Sequence, residues 1–351
     1  MFGFTSSDEL EVTKRNPGFL DQRMALAWVR ENVHAFGGDC EKITIQGQSA
    51  GGYSVKNLWA LPPTPLPFRA TIMESQALLA PPGSGWDKLM DLVNCTDAPS
   101  QITCAQAVDA QTMATLATKN LLFFPPTVDN VTHIDHVERA IFNKTPARVP
   151  LLIGTNGNEV GAYVALLQSL NVSATTFTSL LPGSPQVFNA LLEAQVKQTG
   201  DPTAALTHVL NQYLFTCGNR ALASLAALNG YPTWRYLYNG TFAAFDLVPG
   251  GESHGATHSS ELPIAFGTYP TGNTTEHDRL AALSEYVQER WTAFVKDPAG
   301  GLDWPGYFSG PAEDVLLIGN GGAVNGTVVG SGVVDYDCAL YEQWIVGAGT
   351  V

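Results

Sequence analysis

Charge is scarce in this 351-residue chain, and basic charge is the scarcest: 14% of residues are charged, with 18 Lys and Arg against 32 Asp and Glu, a formal net charge of −14. Such a surface repels phosphate backbones and anionic lipids, which excludes nucleic acid and membrane surfaces as expected partners. Long apolar runs are missing too; none has the length that a bilayer span needs. Cysteine is limited to five residues. No pair of cysteines stands at zinc-ligand spacing, so no metal or other cofactor is read from the sequence. A secretory start is also lacking, because Met1-Phe2-Gly3-Phe4 leads directly into Thr5-Ser6-Ser7-Asp8 with no basic stretch and no sustained apolar region.

Apolar residues, by contrast, make up 45% of the chain, enough for a large core. With no internal repeat and no linker, a single domain is the simpler expectation. Asn-x-Ser/Thr acceptor sites occur at Asn94, Asn130, Asn143, Asn171, Asn239, Asn273 and Asn325, a density that fits a secreted glycoprotein. Cys95 and Cys104 bracket a polar stretch that reads as a small disulfide-closed loop. Cys40, Cys217 and Cys338 leave one further bridge and one free thiol, with the pairing open. These extracellular signals conflict with the missing leader, so either a processed or truncated product or a sequence that begins at an internal methionine is expected.

Apolar positions from Leu20 to Phe36 fall at helical spacing between Pro17-Gly18 and Gly37-Gly38. Ile43 to Gln46 then reads as a strand, Gly47 to Gly52 as a tight turn and Tyr53 to Ala60 as a second helix. Further strands are expected at 70–73, 149–154 and 233–238, with helices near 102–116 and 134–142. Together they give the alternation of an α/β fold with a mostly parallel central sheet. From about 160 to 230 the period is helical, punctuated by Pro182, Pro185 and Pro202, as in a substrate-covering cap. Segments 268–275 and 319–332, rich in Gly and Asn, read as surface loops.

Gly47-Gln48-Ser49-Ala50-Gly51 lies between the expected strand and helix, the context in which Gly-x-Ser-x-Gly forms a sharp turn that lifts the serine hydroxyl above the sheet. The motif alone is common; its surroundings are not. Asn16 to Asp39, with Phe36-Gly37-Gly38, followed by Ile43 to Gly52 closely resembles the active-serine region of the type-B carboxylesterase, or cholinesterase-like, family of α/β-hydrolases. The resemblance continues in Met73 to Ala77 and the Cys95 to Cys104 loop, and stays collinear to about Pro305. In this sequence Gln48 replaces a glutamate common in the family and Cys40 stands where proline is usual; neither is expected to touch the reacting groups.

The resemblance implies a triad in the order serine, acid, histidine. Glu159, in Gly154-Thr-Asn-Gly-Asn-Glu159-Val-Gly161, falls on the segment of the family's acid, and a helix first turn is its alternative setting. His258, in Gly255-Ala-Thr-His258-Ser-Ser-Glu-Leu-Pro263, falls on the histidine loop. His254 is the near rival but lacks the following Ser-Glu-Leu-Pro. His34, His133, His136, His208 and His277 are read as surface or packing residues. Ser49 would attack a small-molecule or lipid ester, His258 would act as general base oriented by Glu159, and the Ala50 N–H would bind the oxyanion. The family's glycine-rich oxyanion loop should precede the nucleophile, and none does, so the chain is expected to lack the N-terminal third with its first strands. A catalytically impaired fragment and a non-catalytic binding relative therefore stay open beside the esterase. Nothing in the pattern speaks to oligomeric state or to which ester is cleaved.

Overall fold

The computed structural model describes residues 1–77, 85–169, 185–245, 254–310 and 313–341. Asn171, Pro182 and the Gly250–Ser253 stretch before His254 lie outside the described residues.

Six strands form one sheet: β1 (Thr44–Gln48), β2 (Ala70–Glu74), β3 (Leu151–Asn156), β4 (Thr233–Tyr238), β5 (Asp314–Ile318) and β6 (Gly326–Gly330). Their spatial order equals their chain order, the first five are parallel, and β6 closes the edge antiparallel to β5. Every residue of β2 and β3 is buried, as expected for strands covered on both faces. Side chains alternate between two cores. Met73, Leu151 and Ile153 enter one with Trp59, Leu210 and Leu222, while Ile72 and Leu152 enter the other with Leu283, Trp291 and Phe294.

The helices are α1 (Pro17–Asn32), α2 (Ala50–Ala60), α3 (Gly85–Leu92), α4 (Gln101–Gln106), α5 (Ala110–Lys119), α6 (Val137–Phe142), α7 (Gly161–Ser169), α8 (Pro185–Thr199), α9 (Pro202–Asn211), α10 (Cys217–Leu228), α11 (Leu262–Phe266), α12 (Thr275–Lys296) and α13 (Ser331–Val334). The single helix expected over 102–116 is two, because the Asp109 side chain accepts from Thr112 N at 2.8 Å and caps a new start. The 319–332 loop contains β6, a short edge strand whose Gly-Thr-Val-Val-Gly sequence is mostly exposed and so carries no alternation to read. β5 was not anticipated at all. No described helix is long and apolar enough to cross a membrane.

Two disulfides are present: Cys95–Cys104 and Cys217–Cys338, leaving Cys40 free. Among the described residues, Cys217, Asp337 and Cys338 are grouped closely enough for a metal, but the two sulfurs are bonded to each other and cannot act as thiolate ligands.

Candidate active site

Between the last residue of β1 and the first of α2, Ser49 has φ 57° and ψ −123°, a conformation that side chains adopt only under constraint. The constraint is visible: Ser49 N donates to Glu74 O on β2 at 2.9 Å, and Tyr53 N closes the first turn of α2 onto Ser49 O at 2.9 Å. A Cβ on Gly47 would stand 2.3 Å from the Gly51 carbonyl, and one on Gly52 would meet three atoms at 3.0 Å. A Cβ on Gly51 would meet nothing within 4 Å. The close approach of strand and helix thus requires Gly47 and Gly52, and the second glycine of the motif is not the sterically required one. No side chain caps α2, so the amides of its first turn, Ala50 N–H among them, have no intrahelical acceptor.

Glu159 follows β3 and is fully buried. Its carboxylate accepts from Asn156 N at 2.7 Å through Oε1 and bonds His258 Nδ1 at 2.6 Å through Oε2. The two loops are stitched together along their backbones: His258 N donates to Glu159 O at 3.2 Å, and Asn158 N to Ala256 O at 3.0 Å. Asn211, at the end of α9, accepts from Glu159 N at 2.6 Å. One turn on, the π-helical segment Gln212–Thr216 presents Phe215, whose ring centre lies 4.9 Å from that of His258, and Tyr163 of α7 stands at 6.1 Å. A π turn beside such a cluster fits the general placement of these irregular turns at functional sites.

Glu159, His258 and the Ser49 turn therefore gather at the carboxyl ends of β1 and β3. The structure joins Glu159 to His258. It does not join Ser49 to His258: among the described residues no hydrogen bond links them, and the Gln48 carboxamide nitrogen lies against the imidazole, 3.2 Å from Nε2 and 3.4 Å from Nδ1. The expectation that the Gln48 departure is remote from the reacting groups is thus overturned, because a residue at the strand end beside Ser49 reaches the same ring. His254 offers its carbonyl to Asn158 Nδ2. His133 is buried against the Tyr53 hydroxyl at 2.7 Å, His136 pairs with Glu138, and His208 with Asp337.

Beneath the pair lies a buried acidic group. Burial, then the Glu159 and Glu74 carboxylates, push Glu261 well above the usual carboxylate range, and its carboxylate accepts a short bond from Asn156 Nδ2. Burial likewise raises Glu74, which accepts from Trp291 Nε1 at 2.9 Å and Gln46 Nε2 at 3.0 Å. Asn211 and Phe215 carry no signal in the sequence; Gln48 stands out there only as a departure from the family's usual glutamate.

The model of the carboxylesterase family matches residues 1–325. The chain belongs to the carboxylesterase family. This family member is 30% identical to secreted lipase 5 of Gibberella zeae, over 90% of its own length and 59% of the relative's. It is 29% identical to para-nitrobenzyl esterase of Bacillus subtilis, over 90% of the chain and 66% of the relative, and 30% identical to chlorogenic acid esterase of Aspergillus niger, over 96% and 64%. The chain thus spans about three fifths to two thirds of the length of these relatives. A solved PNB esterase structure superposes with a TM-score of 0.74 at 25% identity, covering 97% of this chain and 72% of that one. The fold is that of an α/β-hydrolase.

Proposed function

We propose that this carboxylesterase-family chain carries the catalytic centre of a serine esterase, with Ser49 as nucleophile, His258 as general base and Glu159 as its orienting acid. The observation that carries the reading is the 2.6 Å Glu159–His258 bond beside a serine held at φ 57°. With Nδ1–H given to Glu159, Nε2 keeps its lone pair to take the Ser49 proton as the hydroxyl attacks an ester carbonyl. An acyl-enzyme forms on Ser49 and the alcohol leaves with the proton from His258; water, activated by the same ring, then releases the acid. Ala50 N–H, at the uncapped start of α2, is the oxyanion donor that this turn supplies. The helices between β3 and β4 act as the cap, bringing Tyr163 and Phe215 against His258. Small-molecule or lipid esters are the substrates.

The same reading makes the protein extracellular. A secreted lipase stands among its relatives. Asn94, Asn130, Asn143, Asn273 and Asn325 are exposed and open to glycosylation, whereas Asn239 is half-buried with its amide on Asn320 at 2.8 Å.

A fluorophosphonate probe applied to the full-length protein tests the assignment: the modified peptide should contain Ser49, and labelling elsewhere would overturn it.

A further inference from the structure

Two groups that bear on the His258 ring arrive from separate parts of the chain. Glu159, in the loop after β3, holds Nδ1 at 2.6 Å, and Phe215, in the π-helical turn after α9, sets its ring centre 4.9 Å from that of the imidazole. A carboxylate orients a histidine only as well as its own backbone is held. Most of the holds on Glu159 are local to the pair: Asn156 N donates to Oε1, His258 N to the carbonyl and His258 Nδ1 to Oε2. One is not. The Glu159 N–H donates at 2.6 Å to the side-chain oxygen of Asn211, 52 residues further on. A peptide N–H can only donate, so the Asn211 oxygen must face Glu159 and its NH2 must face away, where Thr216 Oγ1 accepts at 3.2 Å.

We propose that Asn211 is a positioning residue for the base, a carboxamide that fixes Glu159 and the aromatic wall of His258 in one register and so lets the cap set the aim of the acid. The proposal rests on the esterase reading. One planar group makes both bonds, to the backbone of the acid on one side and to the turn that carries Phe215 on the other. The π turn is what allows this. In an α-helix, side chains five residues apart point about 140° away from each other around the axis, whereas the wider turn brings Thr216 over Asn211. The turn is anchored beyond that point as well: Phe215 O accepts from Asn219 Nδ2 at 2.8 Å, and Cys217, the next residue after the turn, is bonded to Cys338. Asn211 is buried, so bulk water does not stand in for either bond. A shift of the turn therefore reaches His258 twice, through Asn211 and Glu159 at Nδ1 and through Phe215 at the ring.

Variants of the full-length protein test this, with rates expressed per active site after titration with a fluorophosphonate. Asn211→Leu keeps the volume and removes both bonds; turnover of p-nitrophenyl acetate should fall about tenfold to a hundredfold with KM within about threefold, short of the roughly 10⁴ that disabling the acid of a triad costs. In the same variant the downfield proton resonance of His258 Nδ1–H should move upfield as its bond to Glu159 loosens, which a smaller folded fraction alone would not cause. Asn211→Asp keeps an oxygen for Glu159 N and lets the Thr216 hydroxyl donate to the other, so it should recover most of the loss. If Asn211→Leu does not fold, Thr216→Val decides: it frees one end of the carboxamide and should cost about threefold to tenfold in turnover, with the same resonance moving. Turnover within about twofold of the parent and an unmoved resonance, in Asn211→Leu or in Thr216→Val in its place, would overturn the proposal. A parent that hydrolyses no ester and leaves Ser49 unlabelled would overturn the esterase reading instead, and this role of Asn211 with it.

Discussion

His258 and His133 are both held by polar neighbours, but only His258 shares its cluster with a strained serine. His258 leans on Glu159, with the Gln48 carboxamide against its ring and, next to Gln48 in the chain, the strained Ser49. His133 lies about one helix away in a second cluster: its ring meets the Tyr53 hydroxyl, Lys56 Nζ lies 4.3 Å from the centre of the Tyr53 ring, and Asp129 and Asn16 brace the loop before it. Asp129 accepts three backbone amides, from Val131, Thr132 and His133, plus the Thr132 hydroxyl at 2.6 Å. Burial works against its charge, but those bonds prevail and keep it below the usual carboxylate range. Asn16, fully buried, reaches across to Thr127, Asp129 and Thr132. Burial and the nearby Lys56 charge push His133 down to about 4, so the ring stays neutral and inert near neutrality. The difference is one of satisfaction. The second cluster spends its polar groups on a loop and a helix, whereas the first sets a buried carboxylate–imidazole pair beside a serine under strain.

That contrast yields an ordered set of expected effects. Ser49→Ala or His258→Ala should each cost about three orders of magnitude or more in ester turnover while leaving the unfolding midpoint nearly unchanged, and His254→Ala should cost little. Steady-state kinetics beside thermal unfolding reads both quantities; comparable losses from the two histidine variants would erase the distinction. Asp129→Ala should do the reverse. Leaving three amides and a hydroxyl without their acceptor is expected to cost about 2–4 kcal/mol in urea unfolding, with turnover of the folded fraction preserved.

Lys56 sharpens the comparison further. It is 1% exposed, and burial lowers its amine to about 7. The folded chain therefore gives up a proton that the unfolded chain keeps until about pH 10, so this residue's share of stability rises with pH across that window. Lys56→Met should flatten that rise and stabilise the protein near neutrality by about 2 kcal/mol, measured as midpoints over a pH series. Glu261 has the opposite sign. With its carboxyl raised, the folded state holds a proton that the unfolded state loses above about pH 4.3, so stability falls as pH climbs past that point. Glu261→Gln should remove that fall, a difference of about 1 kcal/mol between mildly acidic and neutral solution. An unchanged slope would mean that the folded state does not hold a proton on Glu261.

The turn and the stretches that hold the proposed triad were legible because they are local. A strand, a strained serine and a helix within seventeen residues leave glycines at fixed offsets, and Glu159 and His258 sit in short collinear stretches that resemble the family. Long-range features left no such trace. Gln48 is half-buried and has no periodic context, and Asn211, the last residue of α9, and Phe215, in the π-helical turn after it, lie some fifty residues past Glu159 in a stretch that reads as plain helix. β5 is five residues, too short to separate from a buried helical run by period. The amphipathic pattern of α1 is real, yet Met24 and Trp28 are 69% and 54% exposed, and Phe19 is its one buried residue. Amphipathicity says which face is apolar and not what lies against it.

Cys217 and Cys338, 121 residues apart, enclose β4, the His258 loop, α12 and β5 within one covalent ring. Ser49 and Glu159 lie outside it. A protease that cuts once anywhere between those cysteines produces two polypeptides but not two molecules. The histidine stays attached by a covalent path to the serine it is proposed to serve, and the nick becomes visible as smaller pieces only after reduction. For a protein proposed to work among extracellular proteases, a cut loop inside the ring is then an altered surface and not the loss of half the site.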